Sequence, residues 1–571
     1  MSKFYHLFAN RKPSLVLGVE KRIWVAALMF VGFLTALEWL ALGVGLNQFA
    51  SGLSKQDDPF VIAVAILYLA VAFYLFFLFV LATLASKWPF QVASVVIFVF
   101  ATFAEFSYAR AIGRFTTYYD VVSAVGITSQ QAGDSLISYI NLLALVPCFV
   151  LIGLCVFCRN TTVQMRGPRW LALIFLSLGV FHFHLYYVNL ALFDSQFASN
   201  SFGRFWQTAA DLIIVDPWGS IAAKERETVE SPISDRGPHP DNNVIFIFDE
   251  SVQGRHLSLN GYSRPTTPYL ETLAKSGVMK NFGLAVSVST VSRSSFDGMI
   301  VGATPNMLDE KNFSEISRMP TIFQYARAMN YKTHMIDGQM TEYWAGIPDD
   351  LNYISDLVTV DKIDAQIGEG SDAKQWEIDR KTADIVKKIF SESAGNFVFI
   401  YKRGTHSPYD RNYPVSEAPW QPIYHFDDPF GIAPADRYQA IVNSYDNNLE
   451  FNLDDFFKRL ADDYSSLPNN TVIIYTSDHG EVFSREGRAS HGGSTPDEAT
   501  VPLFIFGLRE NQVDTTFNAA HANIFSTMLD LMKYPRDLRK YPYGISLFDA
   551  TGKDQAPRFF NPPGAKKIRF D

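Results

Sequence analysis

The sequence predicts an α-helical membrane domain of five transmembrane helices, followed by an α/β domain whose mostly parallel sheet lies between helices. Three observations carry this. The first third of the chain holds five apolar stretches, each about the 20 residues that span a hydrocarbon core as helix. The remainder alternates short β-rich apolar runs with helical segments, the pattern of a sheet covered on both faces. The charge also changes sign between the two: residues 1–192 hold 12 Lys and Arg against 7 Asp and Glu, and the rest holds 37 against 51. The 571 residues are 48% hydrophobic, 15% aromatic and only 19% charged, which excludes a disordered or collagen-like chain and exceeds one ordinary domain. A net charge of −9 excludes a basic nucleic-acid-binding surface for the chain as a whole.

The expected spans are 23–46, 60–85, 90–109, 137–158 and 170–192. Lys and Arg in short loops set their orientation. Lys3, Arg11, Lys12, Lys21 and Arg22 precede the first span, Lys87 lies between the second and third, and Arg159, Arg166 and Arg169 lie between the fourth and fifth. All nine fall on one side. The other side has Lys55 beside Asp57 and Asp58, with Arg110 and Arg114 after the third span. The N-terminus is therefore expected in the cytoplasm and everything after residue 192 outside it. The first stretch is too long for a signal peptide and lacks a small-residue cleavage site, so it is expected to remain as an anchor. Glu38 and Glu105 fall inside spans, where pairing within the bundle or placement near an interface is favoured over a pathway role. Cys148, Cys155 and Cys158 all lie in the fourth span, so the exported part contains no disulfide. Residues 193–241 read as an interfacial helix at 203–215 and a linker broken by Pro232, Gly237, Pro238 and Pro240, with the globular domain running over 242–571.

Strands are expected at 244–248, 333–336, 397–401, 472–475 and 501–506. In doubly wound sheets ligands gather outside the carboxyl ends of the strands. The residues that follow four of these runs are Asp249 and Glu250, Asp337, Arg403 through His406, and Ser477 through Glu481. Taken singly, an acid closing a strand is more often a cap or turn former. Taken together, Glu250, Asp478 and His479 offer two carboxylates and an imidazole, a donor set suited to Zn²⁺ or Mn²⁺. His406 and His491 would serve a second ion or the phosphate of a substrate. The run from Ser287 to Phe296 is dense in hydroxyls and opens a helical pattern, where the helix dipole favours an alkoxide and phosphate oxygens. Its bland alternative is a plain Ser/Thr helix cap.

These residues resemble a known family. Glu250-Ser251 after a strand, Asn260-Gly-Tyr-Ser-Arg-Pro-Thr-Thr-Pro268, the hydroxyls around Thr290, Gly404-Thr-His-Ser-Pro408, Tyr445-Asp-Asn447 and Ser477-Asp-His-Gly-Glu481 with His491 are similar to the membrane-anchored phosphoethanolamine transferases of the sulfatase/alkaline-phosphatase superfamily, lipid A-modifying members among them. The resemblance implies an alkaline-phosphatase-like fold and a catalytic domain in the periplasm, held by a multi-pass anchor in the bacterial inner membrane. It makes Thr290 the nucleophile and a metal ligand beside Glu250, Asp478 and His479. It assigns substrate binding to His406, His491, Asp337 and Gln339, and makes Asn260 to Pro268 a structural loop. Phosphatidylethanolamine would be the donor, and a lipid or glycan of the cell envelope, such as lipid A, the acceptor. Ser289 and Ser292 are further hydroxyl candidates. The chain departs from lipid A-modifying members in having no cysteine near the nucleophile. The competing readings are a phosphoglycerol transferase of the lipoteichoic-acid or glucan type, a metal-dependent phosphodiesterase or sulfatase, and a non-enzymatic scaffold.

Overall fold

The computed structural model describes residues 15–16, 19–42, 59–112, 115–116, 141–158, 200–205, 208, 226–233, 238–308, 316, 318–339, 354–359, 362–363, 375–426, 431–433, 435–460, 470–484, 488–509, 512–552, 557–562 and 567–571. The chain divides into two compact units, one from residues 1–121 and 135–218, the other from 122–134 and 219–571.

The first unit contains α1 (Lys21–Leu42), α2 (Pro59–Ala85), α3 (Trp88–Ile112) and α4 (Leu145–Cys158). By length and apolarity two segments, Lys21–Leu42 and Trp88–Arg110, are able to cross a membrane, and Leu69–Ala85 and Leu142–Cys158 are shorter apolar segments. The expected fifth span, 170–192, lies outside the described residues, as does most of the expected interfacial helix. Phe76, Phe79 and Phe98 pack around Phe202, whose ring centroid is 4.4 Å from that of Phe79, and Phe30 packs edge-on against Phe98. The two carboxylates inside spans are both partnered. Glu38 accepts the backbone N–H of Ser201 at 3.2 Å as well as its hydroxyl. Glu105 accepts the backbone N–H and the hydroxyl of Thr116, each at 2.6 Å. Such pairing meets the expense of placing a carboxylate among apolar helices.

The second unit is organised by a seven-stranded sheet of β1 (Asn243–Asp249), β2 (Met279–Val286), β3 (Lys332–Asp337), β4 (Asp356–Thr359), β5 (Asn396–Tyr401), β6 (Thr471–Ser477) and β7 (Thr500–Phe506), in spatial order β2-β7-β6-β1-β5-β3-β4. Strands β6, β1, β5, β3 and β4 are parallel, while β7 runs antiparallel to both β6 and β2. The five expected strands are all present. The two that the pattern missed, β2 and β4, are the edge strands. Lys280, Asn281 and Gly283 interrupt β2, and β4 is a short Asp-Leu-Val-Thr, so neither shows the continuous apolar run of a strand buried on both faces.

Helices α5 (Pro268–Lys275), α6 (Ser292–Val301), α7 (Ile322–Ala328), α8 (Gln375–Glu392), α9 (Arg437–Leu449), α10 (Asp455–Leu460) and α11 (Ile524–Leu531) cover both faces. The two-residue period of the strands decides which face each side chain joins. Val244, Phe246 and Phe248 of β1 pack with Phe399, Phe296, Phe323 and Met528 under α6, α7 and α11. Ile245 and Ile247 of the same strand pack with Ile400, Val386, Leu449 and Phe457 under α8, α9 and α10. Full burial of each such side chain contributes roughly 1.5–3 kcal/mol. Two apolar layers therefore hold the sheet without any disulfide.

A cation buried at the carboxyl ends of the strands joins them to the helical layer. Lys402, just after β5, is fully buried, and its Nζ lies 2.6 Å from Asp249 Oδ2 at the end of β1, 3.4 Å from Asp379 Oδ2 on α8 and 2.7 Å from the Asn452 carbonyl. Asp379 in turn accepts the backbone N–H groups of Arg403 and Gly404, each at 3.0 Å. Asp249 accepts the Glu250 N–H at 2.9 Å and the Tyr475 hydroxyl at 2.8 Å. Gly404 passes so close that a Cβ there would stand 2.1 Å from Asp249 Oδ1, and its φ of +57° lies in the left-handed region. Replacing Lys402 with Met would leave two buried carboxylates without their cation. The expected cost is about 3–5 kcal/mol, read as a lower midpoint of thermal unfolding of the purified chain.

Candidate functional site

The turns after β1 and β6 bring the sequence-predicted acids and histidine together. Asp249 and Ser477 are paired in register on the parallel strands β1 and β6. The next residues, Glu250 and Asp478, therefore leave the sheet side by side. The Asp478 N–H donates to the Asp249 carbonyl at 2.9 Å, and the Val252 N–H donates to the Ser477 hydroxyl at 2.8 Å. The loop after β5 wraps the same point: Thr405 donates its N–H at 3.0 Å and its hydroxyl at 2.8 Å to the Glu250 carbonyl. Glu250, Asp478 and His479 are all buried, and one ligand atom from each lies within 4.8 Å of the others.

The charge state of this group calls for a cation. Burial, reinforced by Asp478, pushes Glu250 up to about 8. Burial likewise pushes Asp478 up to about 6. His479 is lowered to about 4 by burial and then by the neighbouring His491, so it is neutral at neutral pH. Its Nδ1 faces the Gly480 carbonyl at 2.9 Å, which places the proton there and leaves the Nε2 lone pair facing Asp478 Oδ2 at 3.2 Å. Asp478 Oδ1 accepts the Ser251 N–H at 2.8 Å, whereas its buried Oδ2 has no hydrogen-bond partner. Two buried carboxylates, one of them with an orphaned oxygen, and a neutral imidazole with its Nε2 lone pair turned toward them fit a divalent metal.

Glu250 is held from behind. Its Oε2 accepts the Gln339 amide and the Tyr401 hydroxyl, both at 3.1 Å, and its Oε1 accepts the Ser251 hydroxyl at 2.9 Å. Gln339 also donates to the Lys402 carbonyl at 2.8 Å. Asp337, at the end of β3, accepts the Gln339 N–H at 2.9 Å and forms the turn that aims it. The structure thus puts both of these residues, expected to bind substrate, behind the acid group.

His491 stacks on His479 with ring centroids 4.1 Å apart, and its Nδ1 lies 3.5 Å from Glu481 Oε1. Burial by itself lowers His491, but Glu481, Glu250 and Asp478 outweigh it and bring the imidazole up to about 9. His406 goes the other way: burial and then Arg403 hold it well below the usual histidine range. Its Nδ1 lies 2.5 Å from the Ser407 carbonyl. At neutral pH His491 carries a proton to give and His406 does not.

The hydroxyl at the group differs from the one the resemblance implied. Thr290 is fully buried and donates to the Gly493 carbonyl at 2.9 Å. Ser292, the first residue of α6, points its Oγ at His479 Nε2 (3.2 Å) and Glu250 Oε1 (3.4 Å). The start of the helix, which residue types alone do not fix, decides which hydroxyl faces the acids. Sequence reasoning also passed over Lys402, Asp379 and Tyr401. A Lys directly after a fully apolar strand was the available signal for the first.

The loop from Asn260 to Pro268 is anchored away from the acid group. Asp446 on α9 accepts the Tyr262 hydroxyl at 2.9 Å and the Arg264 guanidinium at 2.7 Å, and pairs with His256 at 2.8 Å. Tyr445 bridges back to the site by donating its hydroxyl to the Ser251 carbonyl at 2.6 Å.

The sulfatase family model matches residues 242–534. The chain is 20% identical over 332 residues to the Kdo(2)-lipid A phosphoethanolamine 7''-transferase of Escherichia coli K12, a match covering 52% of each. It is 24% identical over 312 residues to the phosphatidylethanolamine transferase Mcr-1 of Escherichia coli, covering 52% of this chain and 54% of that one. The chain thus matches about half the length of these curated relatives. Among solved structures, the integral membrane lipooligosaccharide phosphoethanolamine transferase A from Neisseria meningitidis aligns with a TM-score of 0.59 at 17% identity, over 90% of this chain and 97% of that one. That likeness is one of fold.

Gln339→Ala removes a donor to Glu250 without touching the ligand atoms. Metal affinity, measured by competition with a chromophoric chelator, is expected to fall about 10–100-fold with circular dichroism unchanged.

Proposed function

The chain belongs to the sulfatase family, and from that premise we propose that it is a metal-dependent transferase moving phosphoethanolamine from phosphatidylethanolamine to a lipid or glycan of the cell envelope. The observation that carries the reading is the buried Glu250, Asp478 and His479 group with a serine hydroxyl at hydrogen-bond distance. The names of the relatives supply the head group and donor. The proposal includes the organisation read from the sequence: five spans within residues 1–192, a connector over 193–241 and a catalytic domain over 242–571. It also places the N-terminus in the cytoplasm and the catalytic domain in the periplasm, at the inner membrane that holds the donor.

Glu250, Asp478 and His479 would hold Zn²⁺, with Mn²⁺ as the alternative. When bound, the ion would lower the pKa of a neighbouring hydroxyl and neutralise charge on the phosphoryl oxygens. The protein's own groups supply the rest. A hydroxyl of the stretch from Ser289 to Ser292 attacks phosphorus, and the bond to the diacylglycerol oxygen breaks. The hydroxyl proton is lost to solvent, because Glu250 and Asp478 would be committed to the ion. His491, raised to about 9 and so protonated at neutral pH, gives a proton to the departing diacylglycerol oxygen. In the second displacement an acceptor oxygen attacks the same phosphorus, its proton restores His491, and the enzyme hydroxyl regains its own. Gln339 and Tyr401 keep Glu250 aimed throughout.

The test is incubation of the purified chain with phosphatidylethanolamine micelles and Zn²⁺ in the absence of acceptor. One equivalent or less of diacylglycerol is expected, with phosphoethanolamine retained on the protein, and neither is expected from a Glu250→Gln control. A retained phosphoglycerol group would replace the donor. Continuous release of free head group, with nothing retained, would make the protein a hydrolase.

A further inference from the structure

We infer that Ser292, rather than Thr290, is the nucleophile that carries the phosphoryl group. The inference rests on the transferase reading above and deepens it.

Four other hydroxyls of this stretch serve the backbone. Ser287 donates to the Ser289 carbonyl at 2.5 Å, Ser289 to Asn561 at 2.8 Å, Thr290 to Gly493 at 2.9 Å and Ser295 back to Ser289 at 3.1 Å. They hold the strand-to-helix turn in place. Ser292 does not: its Oγ contacts His479, 187 positions away in sequence, and Glu250, 42 positions away. Nor is it a helix cap. The cap position of α6 is Val291, which makes no side-chain capping bond, and Ser292 is the first helical residue. Local structure makes no demand that its hydroxyl meets.

Accessibility separates the two candidates as well. Thr290 is 0% exposed, while Ser292 keeps part of its surface open. A nucleophile has to reach a phosphorus atom on a lipid, approaching to within about 3–3.5 Å in line with the leaving oxygen. A hydroxyl sealed beneath the chain and committed to a carbonyl has to break that bond and move first. Ser292 sits at the amino end of a ten-residue helix, where the dipole stabilises an alkoxide and the anionic group it acquires. In the step itself the Ser292 Oγ–P bond forms as the P–O bond to diacylglycerol breaks. The hydroxyl proton goes to solvent, and the leaving oxygen is protonated by His491. Transfer to an acceptor reverses this at Ser292: the Oγ–P bond breaks and Oγ takes its proton back.

The decisive experiment is acid quenching of the full-length protein after incubation with phosphatidylethanolamine micelles and Zn²⁺, then peptide mass spectrometry that locates the adduct. The expected result is phosphoethanolamine on Ser292, still located on Ser292 in Thr290→Val and lost in Ser292→Ala at equal zinc content. Ser292→Thr, which keeps a hydroxyl, should retain an adduct at position 292. An adduct on Thr290 or Ser289 of the wild-type chain would overturn the assignment while leaving the transferase reading intact. Absence of any adduct together with intact lipid would overturn the transferase reading, and this inference with it.

Discussion

The site depends on one buried cation. Lys402 ties the ends of β1 and β5 to α8 by contacting Asp249 and Asp379, and these two carboxylates then fix the backbone on either side of it. Asp249 holds the Glu250 N–H, and Asp379 holds the N–H groups of Arg403 and Gly404. The loop so fixed sends Thr405 back onto the Glu250 carbonyl. The partners are buried, and charge-assisted hydrogen bonds in such surroundings are stronger than neutral ones. The direction of the Glu250 side chain is thus set by an ion network lying beneath it.

Above that network the electrostatics invert. Lys402 and its two carboxylates satisfy one another, whereas Glu250 and Asp478 face one another with a neutral imidazole between. Burial raises the proton affinity of both, and the neighbouring Asp478 raises that of Glu250 further. A pair of this kind is stable only when protonated or when a cation lies between the oxygens. The unpartnered Oδ2 of Asp478 and the lone pair on His479 Nε2 are where such a cation would be held. The two histidines beside the group are separated by the same logic. Glu481 at its ring raises His491, while burial and then Arg403 hold His406 well below the usual histidine range.

The membrane unit and the sheet unit solve the problem of buried polar groups in a common way. Glu38 and Glu105 lie among apolar helices and each accepts a backbone N–H and a hydroxyl, from Ser201 and Thr116. In the sheet unit, Asp446 collects Tyr262, Arg264 and His256 and pins the loop that follows β1. With no cysteine outside the first unit, these clusters and the two apolar layers hold the sheet unit without cross-links.

How much of this was legible in one dimension follows from what sets each feature. Continuous runs such as Val-Ile-Phe-Ile-Phe announce strands covered on both faces, and acids directly after them announce a site, because burial and chain connectivity are local properties of sequence. The central strands and the Glu250, Asp478 and His479 group were readable for that reason. The edge strands β2 and β4 were not, since a half-covered strand carries no continuous apolar run. The antiparallel course of β7 was not either, because its apolar pattern is the same in both directions. The roles of Lys402 and Asp379 come from contacts between β1, β5 and α8, which no spacing encodes. Gln339 and Ser292 show the same limit at the site: residue type marks a polar side chain, but the register of a turn decides whether it faces substrate or supports Glu250. By itself, then, the sequence determined the apolar layers, the order of the elements and the ligand types. Tertiary structure alone decided which hydroxyl meets the acids, because that depends on where α6 begins relative to two strands that are distant in the chain.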